Sequence, residues 1–159
     1  MRVLYLVQHG EAKPEHEDPA RPLTDRGRAD VEAAATLLAR LDTAVDKIIH
    51  SGKTRAVQTA EIMAAYLKPS AGVEEFPGIS PLDDPSRVLP RVEEVDRLML
   101  CGHLPHLSRL AALLITGDSS REVVRFRMGG VVCLVKEEKN WLVAWAITPE
   151  QAQKLLKQL

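Results

Sequence analysis

The run Val3-Leu4-Tyr5-Leu6-Val7-Gln8-His9-Gly10-Glu11 decides how the rest of the chain is interpreted. Its five successive apolar residues, Val3 to Val7, are typical of a strand that is buried on both faces of a sheet. Gly10 then marks a turn. The run therefore predicts that a buried strand delivers His9 to a turn, where a histidine is placed to do chemistry.

The composition describes a chain without a strong overall charge. The 159 residues carry a net charge of -1, and 27% of them are charged. The chain therefore has neither the basic field that attracts nucleic acid nor an acidic tail. A chain of this length buries roughly 70% of its unfolded surface around one core. We expect a single domain over residues 1–159, with no nucleic-acid partner.

The two cysteines and the apolar segments indicate where the protein resides. Cys101 and Cys133 lie in apolar runs that are typical of central strands, so buried free thiols and a reducing compartment are expected. Residues 1–8 are too short an apolar stretch for a signal peptide or a membrane span, and no later run reaches about 18 apolar residues. These features predict a soluble, cytoplasmic protein that does not bind the membrane.

Short β-rich runs alternate with longer helical patterns, which predicts crossover units and a mostly parallel sheet. The predicted strands cover residues 2–7, 47–50, 73–76, 97–101, 123–126, 131–135 and 141–146. Helices are predicted after the N-cap Thr24, from Lys53 to Leu67, from Pro105 to Ile115, and from Thr148 onward. In the first helix the apolar positions at helical spacing are Val31, Ala34, Ala35, Leu38 and Leu41. Residues 77–90 form the longest irregular stretch.

Three polar side chains follow the predicted strands directly. His9, Ser51 and His103 each come after the carboxyl end of a strand. In an open parallel sheet those ends share one edge, and ligands bind there. We therefore expect these residues to converge although they are far apart in sequence.

An imidazole suits attack on phosphorus. Its unperturbed pKa of about 6.5 leaves an unprotonated nitrogen available near pH 7. For His9 the other ring nitrogen must be held by an acceptor, and a backbone carbonyl in the turn is the expected one. A histidine that only satisfies a hydrogen bond at a strand end is the commoner case for a single residue. The interpretation of His9 therefore depends on the pattern around it.

Four further segments accompany His9. They are Arg21-Pro22-Leu23-Thr24 with Gly27, the run from Ser51 through Arg55 to Ala60, Gly102-His103, and the loop at Asp83 and Asp84. Together they resemble the motifs of the histidine phosphatase superfamily, and most closely those of its small SixA-type phosphohistidine phosphatases. One residue departs from the resemblance, because Gln8 precedes His9 where the family usually has arginine.

The resemblance covers nearly the whole chain and implies a fold and a reaction. The implied fold is a three-layer α/β/α domain of the phosphoglycerate mutase-like type, with residues 1–159 as one histidine phosphatase-like domain. The implied reaction is phosphoryl transfer in two steps: His9 attacks phosphorus, and water then hydrolyses the phosphohistidyl enzyme. No metal and no organic cofactor is implied. The acidic stretch around His16 holds possible metal ligands, but no second cluster at a matching spacing.

Phosphoryl transfer needs positioning and positive charge around the equatorial oxygens. Arg55 offers a planar fork that can bind two of those oxygens, and His103 is expected to donate to the phosphate from the opposite side, as an imidazolium if protonated. The alternatives are a solvated helix arginine for Arg55 and a capping histidine before Pro105 for His103. His106 is expected to be structural or to lie at the rim of the site.

Three more residues are expected to bind phosphate or substrate. Gln8 and Gly10 flank the nucleophile, and Arg21 precedes the Pro-Leu-Thr segment. Arg21 could instead pair with an acid such as Glu11. Further positive charge could come from a basic rim, although such side chains are more often simply solvated. The rim candidates are Lys13, Arg26, Arg28 and Lys53.

The general acid is the least defined part of the prediction. An oxygen leaving group usually needs a proton from a carboxylic acid, and Asp83 and Asp84 are the candidates. An imidazole that leaves from phosphohistidine departs more easily, because solvent can protonate its nitrogen. The alternative for both aspartates is turn formation before Pro85.

The absence of large insertions predicts an open site, which would admit a phosphorylated protein, such as a phosphohistidine-bearing signalling domain, or a small phosphoester. A different class of function is also open: a phosphate-binding or regulatory module with weakened catalysis. Replacement of the family's arginine by Gln8 removes a charged hydrogen bond, worth about 1.5 to 3 kcal/mol. That corresponds to roughly 10 to 150 fold in rate.

Overall fold

The computed structural model describes residues 1–159, in which a six-stranded sheet carries helices on both faces. The strands are β1 (Arg2–Gln8), β2 (Lys47–His50), β3 (Val73–Glu75), β4 (Arg97–Gly102), β5 (Val131–Glu137) and β6 (Asn140–Ile147). The helices are α1 (Asp25–Arg40), α2 (Thr54–Leu67), α3 (Leu89–Glu94), α4 (His106–Thr116) and α5 (Pro149–Leu156). A 3₁₀ helix, Pro85–Val88, precedes α3.

The strand order is β3-β2-β4-β1-β5-β6. The first four of these strands pair in parallel, whereas β5 is antiparallel to both of its neighbours. Only β5 therefore runs against the common direction, and the predicted mostly parallel sheet is confirmed. Because β1 and β4 are neighbours and run in parallel, their carboxyl ends at Gln8 and Gly102 lie side by side.

Each face of the sheet has its own core, as a three-layer fold requires. On one face Leu4 and Leu6 of β1 belong to a buried cluster with Leu107 and Leu110 of α4. On the other face Tyr5 and Val7 belong to a second cluster, which includes these residues of α1 and α2: Val31, Ala34, Ala35, Leu38, Ala60 and Met63. Successive side chains of β1 thus enter the two cores in turn, which explains why the strand is continuously apolar. The predicted α/β/α layers are confirmed.

Most of the predicted helices and strands are present, and their observed ends lie within one or two residues of the predicted ones. Thr24 caps α1, because its side chain accepts a hydrogen bond from the Gly27 amide. Lys53 and Pro105 prove to be the N-caps of α2 and α4, so both helices begin one residue later than predicted. Cys101 and Cys133 are buried and unpaired, as expected. No helix has the length and apolar composition that crossing a bilayer requires.

Three predictions about local structure are wrong. Residues 123–126 form no strand, since Phe126 enters the core from an irregular connection and satisfies the apolar pattern without a ladder. The stretch 77–90 is less irregular than expected, because the 3₁₀ helix and the start of α3 lie within it. Leu41, assigned to the apolar stripe of α1, lies beyond the end of the helix and is exposed.

The turn after β1 and the first turn of α1 approach each other closely. A Cβ atom added at Gly27 would lie 2.1 Å from the Glu11 carbonyl oxygen, and one at Gly10 would lie 2.8 Å from the Gly27 carbonyl oxygen. Neither contact is possible for real atoms, so both positions require glycine. The close approach presses α1 against the turn that carries His9.

We predict that Gly27→Ala destabilises the protein by about 1–3 kcal/mol, the usual cost of overpacking, although alanine is the better helix former. The control is Ala29→Gly at an exposed position of the same helix, where only propensity changes and the expected cost is about 0.5–1 kcal/mol. Urea unfolding of both variants measures the difference. Unchanged or increased stability in Gly27→Ala would contradict the close approach.

Candidate active site

His9 is held by the backbone on both sides. Its amide donates to the Gly102 carbonyl at 3.0 Å, which ties it to the end of β4. Its Nδ1 lies 2.7 Å from the Gly10 carbonyl oxygen. A carbonyl only accepts, so Nδ1 carries the hydrogen and Nε2 keeps its lone pair. The turn therefore orients the ring as a nucleophile requires, in agreement with the expected backbone acceptor.

The surroundings of His9 favour its neutral form. Only 9% of the residue is exposed, and this burial is the main reason that its pKa lies below the usual 6.5. The positive charges of Arg55 and Arg21 lower the pKa further, against the hydrogen bond to Gly10, which raises it. Near pH 7 the unprotonated form of the ring is thus favoured.

His103 faces His9 from the end of β4, with the two ring centroids 5.2 Å apart. Its Nε2 lies 2.6 Å from the Ser51 hydroxyl, and its buried Nδ1 has no hydrogen-bond partner within the protein. Burial, followed by the charges of His9 and Arg55, lowers the pKa of His103 to about 3. His103 is therefore neutral near pH 7, which corrects the expected imidazolium form. It can still donate from the ring nitrogen that carries its hydrogen.

Arg55 lies in the first turn of α2 and forms no salt bridge. Its Nε is buried and has no hydrogen-bond partner within the protein. Burial, and secondarily the charge of Arg21, lowers the pKa of Arg55. A fully solvated arginine would expose all of its nitrogens to water, whereas Nε of Arg55 is shielded from it.

Thr59 joins α2 to the turn of His9. Its hydroxyl donates to the Arg55 carbonyl at 2.8 Å and accepts from the Gly10 amide at 3.1 Å. The residue is fully buried, so this polar link is shielded from water. The sequence did not predict a role for Thr59. Only its position in the segment that contains Arg55 could have pointed to one. Thr59 sets the distance between α2 and His9.

Arg21 belongs to a loop that is tied down at several points. Its backbone adopts a left-handed φ of 50°, and its Nε donates to the Lys13 carbonyl at 3.1 Å. The Leu23 amide of the same loop donates to the Gln58 side chain of α2 at 2.8 Å. The alternative pairing of Arg21 with Glu11 does not occur, because the Glu11 carboxylate accepts from the Thr24 hydroxyl at 2.9 Å instead.

The charges that act on this cluster have one sign. The charged groups that shift the pKa values of His9, His103 and Arg55 are all cationic: the side chains of Arg21, Lys53 and Arg55 and, when protonated, the imidazoles of His9 and His106. No carboxylate contributes to any of these three shifts. A cluster of cations around neutral imidazoles, without an acid to balance it, is suited to bind an anion.

Gln8 ends β1, where it pairs with Gly102, and its carbonyl accepts from the Gly129 amide at 2.9 Å. The backbone is thereby fixed between β4 and the connection to β5. The side chain is half-buried and forms no hydrogen bond with the protein. Its amide is free to meet a ligand, but it brings no charge.

Asp83 and Asp84 are engaged in the turn before Pro85. Asp83 accepts from the Ser80 amide and Asp84 from the Ser86 amide, each at 2.9 Å. The bonds from Ser86 lower the pKa of Asp84 and keep it ionised, the opposite of what a general acid needs. Both carboxylates act electrostatically on His106, which is fully buried and does not line the rim.

The two imidazoles of the site are buried. His103 is only 1% exposed, and none of the four surface grooves of the molecule is lined by His9, Arg55 or His103. No group of three or more histidine, cysteine or acidic side chains is placed to hold a metal ion.

Comparisons with known proteins agree with this arrangement. Residues 4–80 match the family model described as histidine phosphatase superfamily (branch 1). An uncharacterized protein of Picosynechococcus sp. is 31% identical over 140 residues, which cover 82% of this chain and 83% of that protein. The phosphohistidine phosphatase SixA of Escherichia coli is 24% identical over 152 residues, or 92% of this chain and 93% of SixA.

Solved structures show the same fold. The structure of the protein histidine phosphatase SixA complexed with tungstate superimposes with a TM-score of 0.81 at 24% identity, covering 92% of this chain and 97% of that one. The six-stranded sheet with its flanking helices is thus the phosphoglycerate mutase-like architecture. The chain therefore belongs to the histidine phosphatase superfamily.

Proposed function

We propose that this protein hydrolyses phosphohistidine on a protein substrate, with His9 as the nucleophile and a phosphohistidyl enzyme as the intermediate. One observation carries the proposal: the Gly10 carbonyl holds Nδ1 of His9, so that Nε2 presents its lone pair beside an unpaired arginine. The similarity to proteins named for phosphohistidine phosphatase activity supports the substrate class.

In the first step Nε2 of His9 forms a bond to phosphorus while the bond between phosphorus and the leaving nitrogen breaks. The leaving imidazole takes a proton from solvent. In the second step water attacks phosphorus, the bond to Nε2 breaks, and inorganic phosphate leaves. Arg55 binds equatorial oxygens with its fork, Arg21 and Gln8 add donors, and His103 donates from its protonated ring nitrogen.

The state of the acids favours nitrogen over oxygen as the leaving atom. Asp83 and Asp84 remain the proposed general acids for an ester substrate, yet backbone amides occupy one oxygen of each and Asp84 is ionised. A leaving imidazole needs no such acid.

Gln8 supports a second candidate, a phosphate-binding or regulatory module with weak turnover. Its uncharged amide stands where the family usually has arginine, and it makes no hydrogen bond that would compensate. The expected loss of about 1.5 to 3 kcal/mol slows catalysis roughly 10 to 150 fold and does not abolish it. The first candidate is favoured because His9, Arg55 and His103 are otherwise in place.

We predict that brief reaction with a phosphoramidate donor leaves acid-labile phosphate on His9, and that His9→Ala abolishes both this label and turnover. Mass spectrometry after an alkaline quench measures the label, and the exposed His16→Ala variant is the control. Activity should survive treatment with a chelator. Complete loss on chelation, or an active His9→Ala variant, would exclude the mechanism.

We predict that Arg55→Ala and His103→Ala each lower kcat/KM at least about 100 fold while the melting temperature changes little, because both groups act on developing phosphate charge. Arg40→Ala, an exposed arginine in the last turn of α1, is the matched control. Kinetics and thermal melts are measured on the same preparations. A large loss of stability with unchanged turnover would return both residues to structural roles.

The pH profile provides an independent readout of Arg55. The nucleophile must be unprotonated and its pKa is lowered, so the acid limb of kcat/KM should lie at lower pH than the pKa of an ordinary histidine would give. Arg55→Gln removes one of the charges that lower the pKa of His9, so its acid limb should move to higher pH. A limb that stays in place would show that Arg55 does not act on His9.

We predict that Gln8→Arg binds vanadate more tightly by about tenfold or more, with increased turnover, because a charged fork replaces one neutral donor. Titration calorimetry and steady-state rates test both effects, with Gln158→Arg, an exposed glutamine beyond the end of α5, as the control for an added charge. Unchanged affinity and turnover in Gln8→Arg would mean that Arg21 or Lys13 already supplies the missing charge.

A further inference from the structure

Ser51 and His103 are neighbours at the edge of the sheet where β2 and β4 end. The two strands run in parallel, and His50 of β2 lies opposite Cys101 of β4. Ser51 and His103 therefore follow the ends of adjacent strands. The Ser51 hydroxyl lies 2.6 Å from Nε2 of His103. This is the only hydrogen bond of the His103 ring, because Nδ1 has no partner within the protein.

The turn after β2 fixes the position of the Ser51 hydroxyl. Gly52 adopts a left-handed φ of 86°, a conformation that glycine reaches without steric cost, and its amide donates to Nδ1 of His50 at 3.1 Å. The Lys53 amide then donates to the Ser51 hydroxyl oxygen at 3.3 Å. The serine is thus held against His103 by the hydrogen bonds of its own turn.

These contacts indicate where the hydrogen between the two side chains lies. The Ser51 oxygen already accepts from the Lys53 amide, and Nε2 of His103 is the only acceptor that the protein offers to the hydroxyl hydrogen. If the hydroxyl donates to Nε2, this nitrogen carries a lone pair. A neutral imidazole has one N–H group, so the ring hydrogen then lies on Nδ1.

The position of the ring hydrogen determines what His103 offers to a ligand. Burial lowers the pKa of His103 to about 3, so the ring is neutral near pH 7 and has a single hydrogen to place. With the hydrogen on Nδ1, this atom is a donor, whereas a lone pair there would repel an oxyanion. A buried N–H group without a partner is rare in proteins and indicates a place for a ligand. The buried Nε of Arg55 is a second donor of this kind.

We infer that Ser51 is a positioning residue of the site, which donates to Nε2 of His103 and so holds the tautomer whose Nδ1–H binds a phosphoryl oxygen. The inference rests on the proposed function, in which His103 donates to the phosphate. Ser51 acts through the ring of His103 and does not itself need to touch the substrate.

The two histidines of the site are thereby set to opposite tasks. The Gly10 carbonyl can only accept, so it places the hydrogen of His9 on Nδ1 and leaves Nε2 free to attack. The Ser51 hydroxyl can donate, so it occupies the lone pair of His103 and leaves that ring with a free donor. The partner of each imidazole, an acceptor in one case and a donor in the other, thus decides its role.

Nitrogen-15 NMR of the whole chain with labelled histidine tests the tautomer directly. The signals of His103 are identified by their loss in His103→Ala, and their chemical shifts distinguish the protonated from the unprotonated nitrogen. The expected result is a hydrogen on Nδ1 in the wild type and in Ser51→Thr, which keeps the hydroxyl. In Ser51→Ala a population with the hydrogen on Nε2 should appear. A hydrogen on Nε2 in the wild type, or an unchanged tautomer in Ser51→Ala, would overturn the inference.

Kinetics with the phosphoramidate donor measure the consequence for the reaction. Ser51→Ala should lower kcat/KM about tenfold, the effect of losing one neutral hydrogen bond, and Ser51→Thr should keep most of the activity. Ser108→Ala, a similarly half-buried serine of α4, is the matched control. In a His103→Ala background Ser51→Ala should cost nothing further, because Ser51 acts through His103. Equal losses in both backgrounds would show that Ser51 acts independently and would overturn the inference.

Vanadate affinity separates this inference from the proposed function, because binding needs no turnover. Circular dichroism establishes that each variant folds, and Ser51→Ala should weaken vanadate binding about tenfold. An inactive wild-type chain would contradict the proposed function, whereas the loss of affinity in Ser51→Ala would still support the role of Ser51. An active enzyme whose vanadate affinity and tautomer are unchanged in Ser51→Ala would overturn this inference alone.

Discussion

The carbonyl of Gly10 accepts the Nδ1 hydrogen of His9, its amide donates to the Thr59 hydroxyl, and its bare α-carbon lies against the first turn of α1. These three contacts join β1, α2 and α1 at one residue. A side chain at this position would collide with Gly27 and separate α1 from the turn. The orientation of the nucleophile, the distance to Arg55 and the placement of the Arg21 loop all depend on this close approach.

The electrostatics of the site follow from that geometry. Arg21, Lys53 and Arg55 surround two buried imidazoles, and none of the charges that shift these imidazoles is negative. Burial favours the neutral forms of His9 and His103, while a guanidinium group is not deprotonated in proteins. The protein thus provides separate groups for attack and for charge stabilisation. Gln8 makes this arrangement less positive than is usual in the family.

The sequence by itself determined the layered α/β/α fold and the convergence of His9, Ser51 and His103 at one sheet edge. The reason is that the spacing of apolar residues and the ends of strands are local properties of the chain. A short, continuously apolar run is typical of a buried strand, and parallel strands end at a common edge of the sheet. Glycine at positions 10 and 27 was visible as a motif. The physical reason for glycine at these positions could not be read from the sequence, because the close approach joins residues that are distant in the chain.

Only the tertiary structure decided the remaining features. Residues 123–126, Val-Val-Arg-Phe, resembled a strand, yet Phe126 reaches the core from a loop, because burial does not require a ladder. Thr59 acquired its role because α2 packs beside the turn of His9. His103 is neutral rather than cationic because neighbours from other elements bury it and place like charges around it. Protonation depends on burial and on charges brought together by folding, and neither quantity is present in the order of residues alone.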